Sequence, residues 1–321
     1  MKTFCLLIAT MLINAGLAQE QENLEPSERK FQSVAQEPLS LYKGFFKAGV
    51  YVIYSSVDHV FNDKSRKRVL LTNADASLWT YSPFISYGVT DRFQVDLSFP
   101  FKNGHYTSSV QYQIPDWDSV FVQKWSRDIR GVGDLDIGLL YQIIHGDQTK
   151  PSLALNVVTT IPTARKNPKN INKDNPLDYD GAPGEGEFAV LSQLRYRKIS
   201  FPFSLNMVLG YKYYFPGEKI LYPTDTEEKH FRSGNALSFS AGVNMQLNSW
   251  IVFRNMTEYY RYDKSQMDHE SQPDDGYSFF HATGLSFQIK QFRLDQLAVI
   301  PVMGRNTGAD LACLFSAQYV F

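Results

Sequence analysis

The chain has little cysteine, almost no net charge and no long apolar run after its N-terminus. Its 321 residues include two cysteines, Cys5 and Cys313. Cys5 lies in a segment that we expect to be removed, so an intramolecular disulfide is excluded in the mature chain. The net charge of −1 provides no basic surface for nucleic acid, and we therefore expect no nucleic-acid partner.

Beyond residue 18 no apolar run approaches the roughly 20 residues that a membrane helix requires. This absence excludes a helical membrane protein only. A membrane β-barrel places its apolar residues at alternate positions and is mildly polar on average, in agreement with a mean hydropathy of −0.29. The chain is rich in aromatic residues, with 19 Tyr and 23 Phe. The aromatic girdles of a barrel would use them, although the core of a soluble sandwich would too.

Motifs for catalysis and metal binding are also scarce. The six histidines are scattered, without metal-ligand spacing, and the chain has no G-x-S-x-G nucleophile motif. We therefore expect no enzyme activity, no bound metal and no cofactor. One alternative is a barrel hydrolase, because His281 and Thr283 stand two apart on one face of a predicted strand. It would require these two side chains to meet in hydrogen-bond geometry, with an Asn or an acid behind them.

The N-terminus has the features of a secretory signal. Lys2 precedes the apolar run FCLLIATMLI, and the small residues Gly16 and Ala18 precede the expected cleavage before Gln19. The residues that follow are polar and rich in Gln and Glu. The expected domains are a signal peptide at 1–18, a polar periplasmic arm or plug at 19–43 and an outer-membrane β-barrel at 44–321.

The clearest strand pattern is a hairpin between Asp134 and Pro162. Its arms read DLDIGLLYQII and SLALNVVTTIP, with apolar side chains at every second position and Leu140 as the apolar exception on the polar face. Successive side chains of a strand point to opposite faces, so each arm has one apolar face and one mainly polar or small face. Placing the carboxylates of Asp134 and Asp136 against lipid would have a high free-energy cost, whereas placing them beside water would not. Each arm has about ten residues, the length with which a tilted strand crosses a bilayer.

The same alternation recurs in further segments, which gives twelve in all. They lie at 44–56, 78–88, 93–101, 133–144, 152–162, 187–197, 203–215, 236–248, 250–262, 277–289, 293–303 and 309–321. The connections between them alternate between long and short along almost the whole chain. Outer-membrane barrels have this asymmetry, with short periplasmic turns and long external loops. The sequence therefore predicts an all-β fold, a single antiparallel transmembrane barrel of about 12 strands in the bacterial outer membrane, with both termini in the periplasm.

The last segment, DLACLFSAQYVF, ends in an aromatic residue. Leu311, Cys313, Phe315, Tyr319 and Phe321 share one predicted face. A terminal aromatic with another two residues earlier is typical of the signal that the barrel assembly machinery reads by strand addition. The expected partners are therefore this machinery, outer-membrane lipids and lipopolysaccharide, and a small-molecule solute.

Several motifs mark strand ends in the central part of the chain. YSPFISYGVTDRFQVDLSFPF is followed by GVGDLDIGLLYQII and HGDQTKPSLALNVVTTIPTA, then by GEGEFAVLSQLRY and FSLNMVLGYKYYFPG. Over about residues 78–321 this pattern resembles the "MetA-pathway of phenol degradation" family. The resemblance implies an outer-membrane transporter and hints at uptake of aromatic compounds, but it brings no set of functional residues.

The polar face of the predicted strands supplies a candidate lumen lining. It comprises Asp96, Asp134, Asp136, Glu187, Arg195, Lys212, Arg254 and Glu258. These residues would form either a structural network of opposite charges or a selectivity lining. Their mixed signs argue against a strongly anion- or cation-selective pore. The long connection 102–132 is rich in aromatics and would form a self-packed cap or a constriction, with the candidates Tyr112, Trp117, Phe121 and Trp125.

A barrel of about twelve strands has a lumen wider than the eight-stranded tubes that side chains fill. The sequence therefore predicts an outer-membrane channel or transporter for passive passage of small solutes, including hydrophobic or aromatic ones. The alternative is a non-transporting structural or partner-binding barrel. The two differ in whether the arm and the long loops fill the lumen.

Overall fold

The computed structural model describes residues 39–61, 68–70, 74–113, 120–146, 149–173, 175, 178–220, 225 and 227–321. The predicted signal peptide and most of the predicted arm lie outside these residues. None of the described residues forms a helix long and apolar enough to cross a membrane.

Twelve strands form one closed antiparallel barrel. Each strand pairs with the next, and the last pairs with the first, which closes the wall. The strands are β1 Phe46–Ser56, β2 Ala74–Gly88, β3 Phe93–Ser98 continued by Phe101–Gln113, β4 Val120–Val132 continued by Leu135–Ile144, β5 Ser152–Ile161, β6 Ala189–Ser200, β7 Phe203–Tyr214, β8 Ala236–Gln246, β9 Ile251–Tyr262, β10 Gly276–Ile289, β11 Phe292–Arg305 and β12 Ala312–Val320.

Short turns join the strands at one end of the barrel, where the chain also enters β1 and leaves β12. We call it the short-turn end, and it corresponds to the periplasmic side of outer-membrane barrels. The longer connections lie at the opposite end and hold small strands of their own. These are His59–Phe61, Arg68–Leu70, Tyr179–Gly181, Gly217–Lys219, Lys229–Arg232, Gln266–Met267, Glu270–Ser271 and Thr307–Gly308.

The hairpin of β4 and β5 shows which face of the wall is apolar. Leu139 is 45% exposed and Leu155 is 41% exposed on the outer surface, whereas Asp136 faces the interior and accepts a 2.6 Å hydrogen bond from Oγ1 of Thr160. An exposed apolar outer wall is unfavourable in water and favourable in lipid. The predicted apolar exception, Leu140, faces inward and is only 1% exposed.

The connection predicted at 102–132 is not a loop. It continues β3 and β4 as a β-hairpin of Phe101–Gln113 and Val120–Val132, which we call the tall hairpin because it extends beyond its pairing with β2, which ends at Ser108. The two strands break where Phe99 meets Pro100 and where Gly133 donates a 2.6 Å hydrogen bond to the carbonyl of Pro100. The sequence prediction was wrong here because it relied on alternation between apolar and polar residues. That alternation is required only where one face of a strand meets lipid.

The seam between β12 and β1 places the C-terminus in the wall. Cys313 pairs with Tyr54 on the outer face, and Tyr54 packs against Trp79 with ring centroids 4.6 Å apart. The backbone N–H of Phe321 donates a 2.8 Å hydrogen bond to the carbonyl of Phe46. The last strand therefore completes the barrel, and its predicted outer face is the observed one.

Candidate functional site

The register of the strands shows which side chains face the lumen. Directly paired residues of antiparallel strands share a face, so the inner face can be followed around the whole wall. Six of the predicted lining residues are on this inner face: Asp96, Asp136, Arg195, Lys212, Arg254 and Glu258. The other two lie outside the paired segments. Asp134 directly precedes the second part of β4, and Glu187 lies two residues before β6.

Two of the predicted lining carboxylates anchor loops. Asp134 is buried and accepts hydrogen bonds from the backbone N–H groups of Ala164, at 3.0 Å, and Glu185, at 2.7 Å. Glu187 is 1% exposed and accepts hydrogen bonds from Ser233, at 2.6 Å from its N–H and 2.5 Å from its hydroxyl. Burial raises the pKa of Glu187, against the lowering effect of the bonds from Ser233. Both carboxylates hold the outer loops against the barrel.

Arg254 belongs to a buried ionic cluster that the sequence analysis only partly found. Asp295 on β11 accepts hydrogen bonds from Nε of Arg293, at 2.9 Å, and Nη1 of Arg254, at 3.3 Å. The hydroxyl of Ser316 donates a third at 2.5 Å, and Ser286 donates a further one. The alternation that identified Arg254 could also have found Arg293 and Asp295, because both occupy the polar positions of FRLDQL.

The inner charges differ between the two ends of the barrel. Within five residues of the short-turn ends of the strands, the cations are Lys47, Arg195, Arg197, Arg254 and Arg293, and the acids are Asp96 and Asp295. Glu258, Asp136 and Lys212 lie farther toward the outer end. Both signs therefore occur in each half of the lumen, but the half near the short turns has an excess of positive charge.

Arg195 differs in its hydrogen bonding from the other cations near the short turns. Its Nη2 donates a 2.8 Å hydrogen bond to the amide oxygen of Gln193, which also accepts one from Asn156 at 3.0 Å. Its Nε is buried without a hydrogen-bond partner, and among the described residues no carboxylate lies within 4.0 Å of the guanidinium. Asp96 and Tyr51 are close enough to interact with it electrostatically. The guanidinium retains capacity for a further acceptor.

A line of apolar side chains follows the inner face of β1. Tyr51 is 38% exposed and Ile53 is 39% exposed, although both face inward by register. The other large exposed apolar residues of the barrel strands face outward wherever the structure describes their side chains. Tyr51 stacks on Phe84 with ring centroids 4.7 Å apart, and Ile53 pairs with Leu314 of β12. The lumen thus has an apolar strip that the sequence analysis did not identify.

The strip leads to a cavity at the outer mouth with a volume of about 580 Å³. Its apolar walls include Val57 and Leu78, and the short strand Tyr179–Gly181 forms one side by pairing in parallel with β4. Arg127 and Lys219 also line it. Burial lowers the pKa of Lys219, although Glu187 nearby acts in the opposite direction.

The other end of the lumen meets the last residues of the arm. The backbone N–H of Leu41 donates a 2.7 Å hydrogen bond to Oε1 of Gln94, and the N–H of Ser40 donates one to Oε1 of Gln142 at 3.2 Å. Both glutamines are buried on the inner face of the wall, and Ser40 and Leu41 are buried as well. The carbonyl of Tyr42 lies against Gly88, where a side chain would collide with it. Residues 40–42 therefore lie inside the barrel at the short-turn end.

The aromatic candidates of the predicted constriction are on the tall hairpin. Tyr112 on β3 is the register partner of Phe121 on β4, and Trp125 follows on the same strand. Trp117 lies outside the described residues. The constriction itself stays a prediction.

The hydrolase alternative requires a bond between base and nucleophile. His281 and Thr283 face outward, and Nε2 of His281 lies 3.2 Å from Nδ2 of Asn255. The hydroxyl of Thr283 donates to the backbone carbonyl of Arg254 at 3.4 Å. An amide therefore stands behind the imidazole, but Thr283 is not bonded to it. The geometry required for an activated nucleophile is not formed.

Solved structures share this architecture. The match with an outer membrane channel from Pseudomonas putida F1 covers 90% of this chain and 99% of that channel's chain, with a TM-score of 0.65 and 16% sequence identity. The match with a toluene transporter from Ralstonia pickettii covers 87% of this chain and 90% of the transporter's chain, with a TM-score of 0.44 and 10% sequence identity. A monoaromatic hydrocarbon channel covers 94% of this chain and 92% of its own, with a TM-score of 0.44 and 9% identity.

This protein is an outer-membrane β-barrel. The likeness to the Pseudomonas channel shows the fold, and the apolar outer wall agrees with it. No family model and no curated protein matches the chain. Membership of the phenol-degradation family therefore stays a prediction.

Proposed function

We propose that this barrel is a channel for passive passage of small hydrophobic or aromatic solutes across the outer membrane. The observation that carries the proposal is the exposure of Tyr51 and Ile53 to the lumen. A water-filled structural tube gains nothing from exposed apolar side chains on its inner wall. A solute with an apolar surface gains free energy by lying against them, at roughly 25 cal/mol per Å² of apolar surface buried.

The cavity and the strip adjoin, because Ser55 lines the cavity and Ile53 is the next inward-facing residue of β1. A solute would enter the outer cavity beside Val57 and Leu78, then pass along Ile53 and Tyr51 toward the short-turn end. The cavity volume of about 580 Å³ is within the range of small-molecule sites. Residues 40–42 lie at the far end of this route and would have to shift for the solute to leave.

Uptake of a hydrophobic aromatic dye, N-phenylnaphthylamine, tests the proposal in cells whose lipopolysaccharide layer is intact. Cells that contain the barrel should take up the dye faster than cells without it. Ile53→Asp should reduce this uptake, because it places a carboxylate on the apolar strip. Ser271→Asp adds the same charge at an exposed position of an outer connection and serves as the control.

Two outcomes would contradict the channel. One is dye uptake no faster than in cells without the barrel, which would favour the non-transporting alternative. The other is uptake that Ile53→Asp leaves unchanged, although electrophoretic mobility before and after heating shows the variant to be folded.

A further inference from the structure

Arg195 and Tyr51 both face the lumen and are close enough to interact electrostatically. Tyr51 is five residues from the short-turn end of β1, and Arg195 is five residues from the short-turn end of β6. Arg195 has a buried Nε without a partner and one hydrogen bond, to Gln193. A guanidinium in the interior with no carboxylate within 4.0 Å is costly, and the carboxylate of a solute would stabilise it.

We propose that Arg195 and Tyr51 form a mid-channel site for a small aromatic monocarboxylate, which rests on the channel function proposed above. The aromatic ring lies against Tyr51 and Ile53, and the carboxylate binds the guanidinium of Arg195. Arginine is suited to this role because its planar fork matches both oxygens of a carboxylate. The site therefore assigns the solute an apolar body and one negative charge.

The other cations of this half already have partners. Arg254 and Arg293 share the carboxylate of Asp295, and Nε of Arg197 donates a 2.7 Å hydrogen bond to Asn206. Lys47 and Arg197 also have further interactions of their own. Asp96, the acid that faces Arg195, accepts a 2.6 Å hydrogen bond from Nε2 of Gln94. The free capacity for an anion is therefore concentrated at Arg195.

The outer cavity independently favours an anion. In the part of the chain that the structure describes, its lining contains the cations Arg127, Lys166 and Lys219 and no acidic residue. Lys166 is paired with Glu228 at 2.8 Å, but this carboxylate is not part of the lining. Among the acids farther out, Asp134 and Glu187 are held by loop hydrogen bonds. A carboxylate that enters the mouth therefore meets positive charge at the cavity lining.

Benzoate binding to the purified, folded barrel in detergent, measured by titration calorimetry, tests the site. Arg195→Gln should weaken the binding by about tenfold or more, because a charge-assisted hydrogen bond is lost. Arg195→Lys should restore part of it. Arg261→Gln removes an arginine from the outer face of β9 and should leave the binding unchanged. Benzyl alcohol and benzylamine, which share the ring but not the negative charge, should bind more weakly than benzoate.

Flux into liposomes separates this site from the channel itself. Passage of benzoate should fall in Arg195→Gln, while passage of benzyl alcohol should change less. Equal binding of benzoate by wild type and Arg195→Gln would overturn the site, and so would benzylamine binding as tightly as benzoate. If benzyl alcohol passes and benzoate neither binds nor passes, the results support the channel function and contradict the carboxylate site. If benzoate binds at Arg195 but no solute passes, the results support the carboxylate site and contradict the channel function.

Discussion

The hydroxyl of Ser40 donates a 2.5 Å hydrogen bond to Oε1 of Gln142, across 102 positions of the chain. This bond holds the end of the arm against the inner wall of β4, where both residues are buried. The backbone bond from Leu41 to Gln94 does the same on β3. The short-turn end of the lumen is therefore narrowed by the chain's own backbone.

Loss of these two glutamines should loosen the arm. Gln94→Ala together with Gln142→Ala removes the acceptors for Ser40 and Leu41, each worth about 1 kcal/mol. We expect single-channel conductance in planar bilayers to rise relative to wild type. Gln113→Ala, on the tall hairpin far from the arm, is the control. Unchanged conductance in the double variant would show that residues 40–42 do not limit the current.

The contrast between Leu139 and Ile53 tests which face of the wall meets lipid. Both side chains are exposed to a similar degree, but Leu139 faces outward and Ile53 faces the lumen. Leu139→Arg should lower the free energy of unfolding by about 2–4 kcal/mol, the cost of a cation against lipid near the middle of the bilayer. Ile53→Arg should cost much less, because its charge would meet water. Urea unfolding in lipid vesicles measures both, and equal costs would contradict the assigned faces.

Asp295 should be a major contributor to stability. Asp295→Asn leaves Arg254 and Arg293 without their shared carboxylate, and breaking a buried ion pair costs about 3–5 kcal/mol. Ser316→Ala removes only one hydrogen bond to the same carboxylate and should cost about 1 kcal/mol. Urea unfolding of the two variants gives the comparison. A cost for Asp295→Asn no greater than that for Ser316→Ala would show that the arginines find other partners.

Glu187 should make stability depend on pH. Burial raises the pKa of this carboxyl above its ordinary value of 4.5, so the folded state binds the proton more tightly than the unfolded state does. The stabilisation by the proton is complete below pH 4.5 and is lost as the pH rises through the raised value. Glu187→Gln should remove this decline in unfolding free energy, whereas Glu270→Gln, at an exposed position of an outer connection, should keep it. An unchanged pH profile in Glu187→Gln would contradict the assignment.

The sequence was sufficient to predict the barrel fold and the face of the wall on which many residues lie. Alternation placed Leu139 and Leu155 outside and Asp136 inside, because one face of each strand must be apolar to meet lipid. It also placed Arg195 and Lys212 on the inner face. The same rule failed for the hairpin formed by Phe101–Gln113 and Val120–Val132, which pairs with β2 as far as Ser108 but carries no such pattern.

Tyr51 and Ile53 show what the sequence alone did not determine. They alternate with Val50 and Val52, so β1 is apolar on both faces and its pattern does not distinguish lumen from lipid. Only the register with β2 and β12 turns Tyr51 and Ile53 inward. Alternation within a strand fixes which residues share a face. Which face encloses water, and which charges meet across it, is decided when distant strands pair and the wall closes.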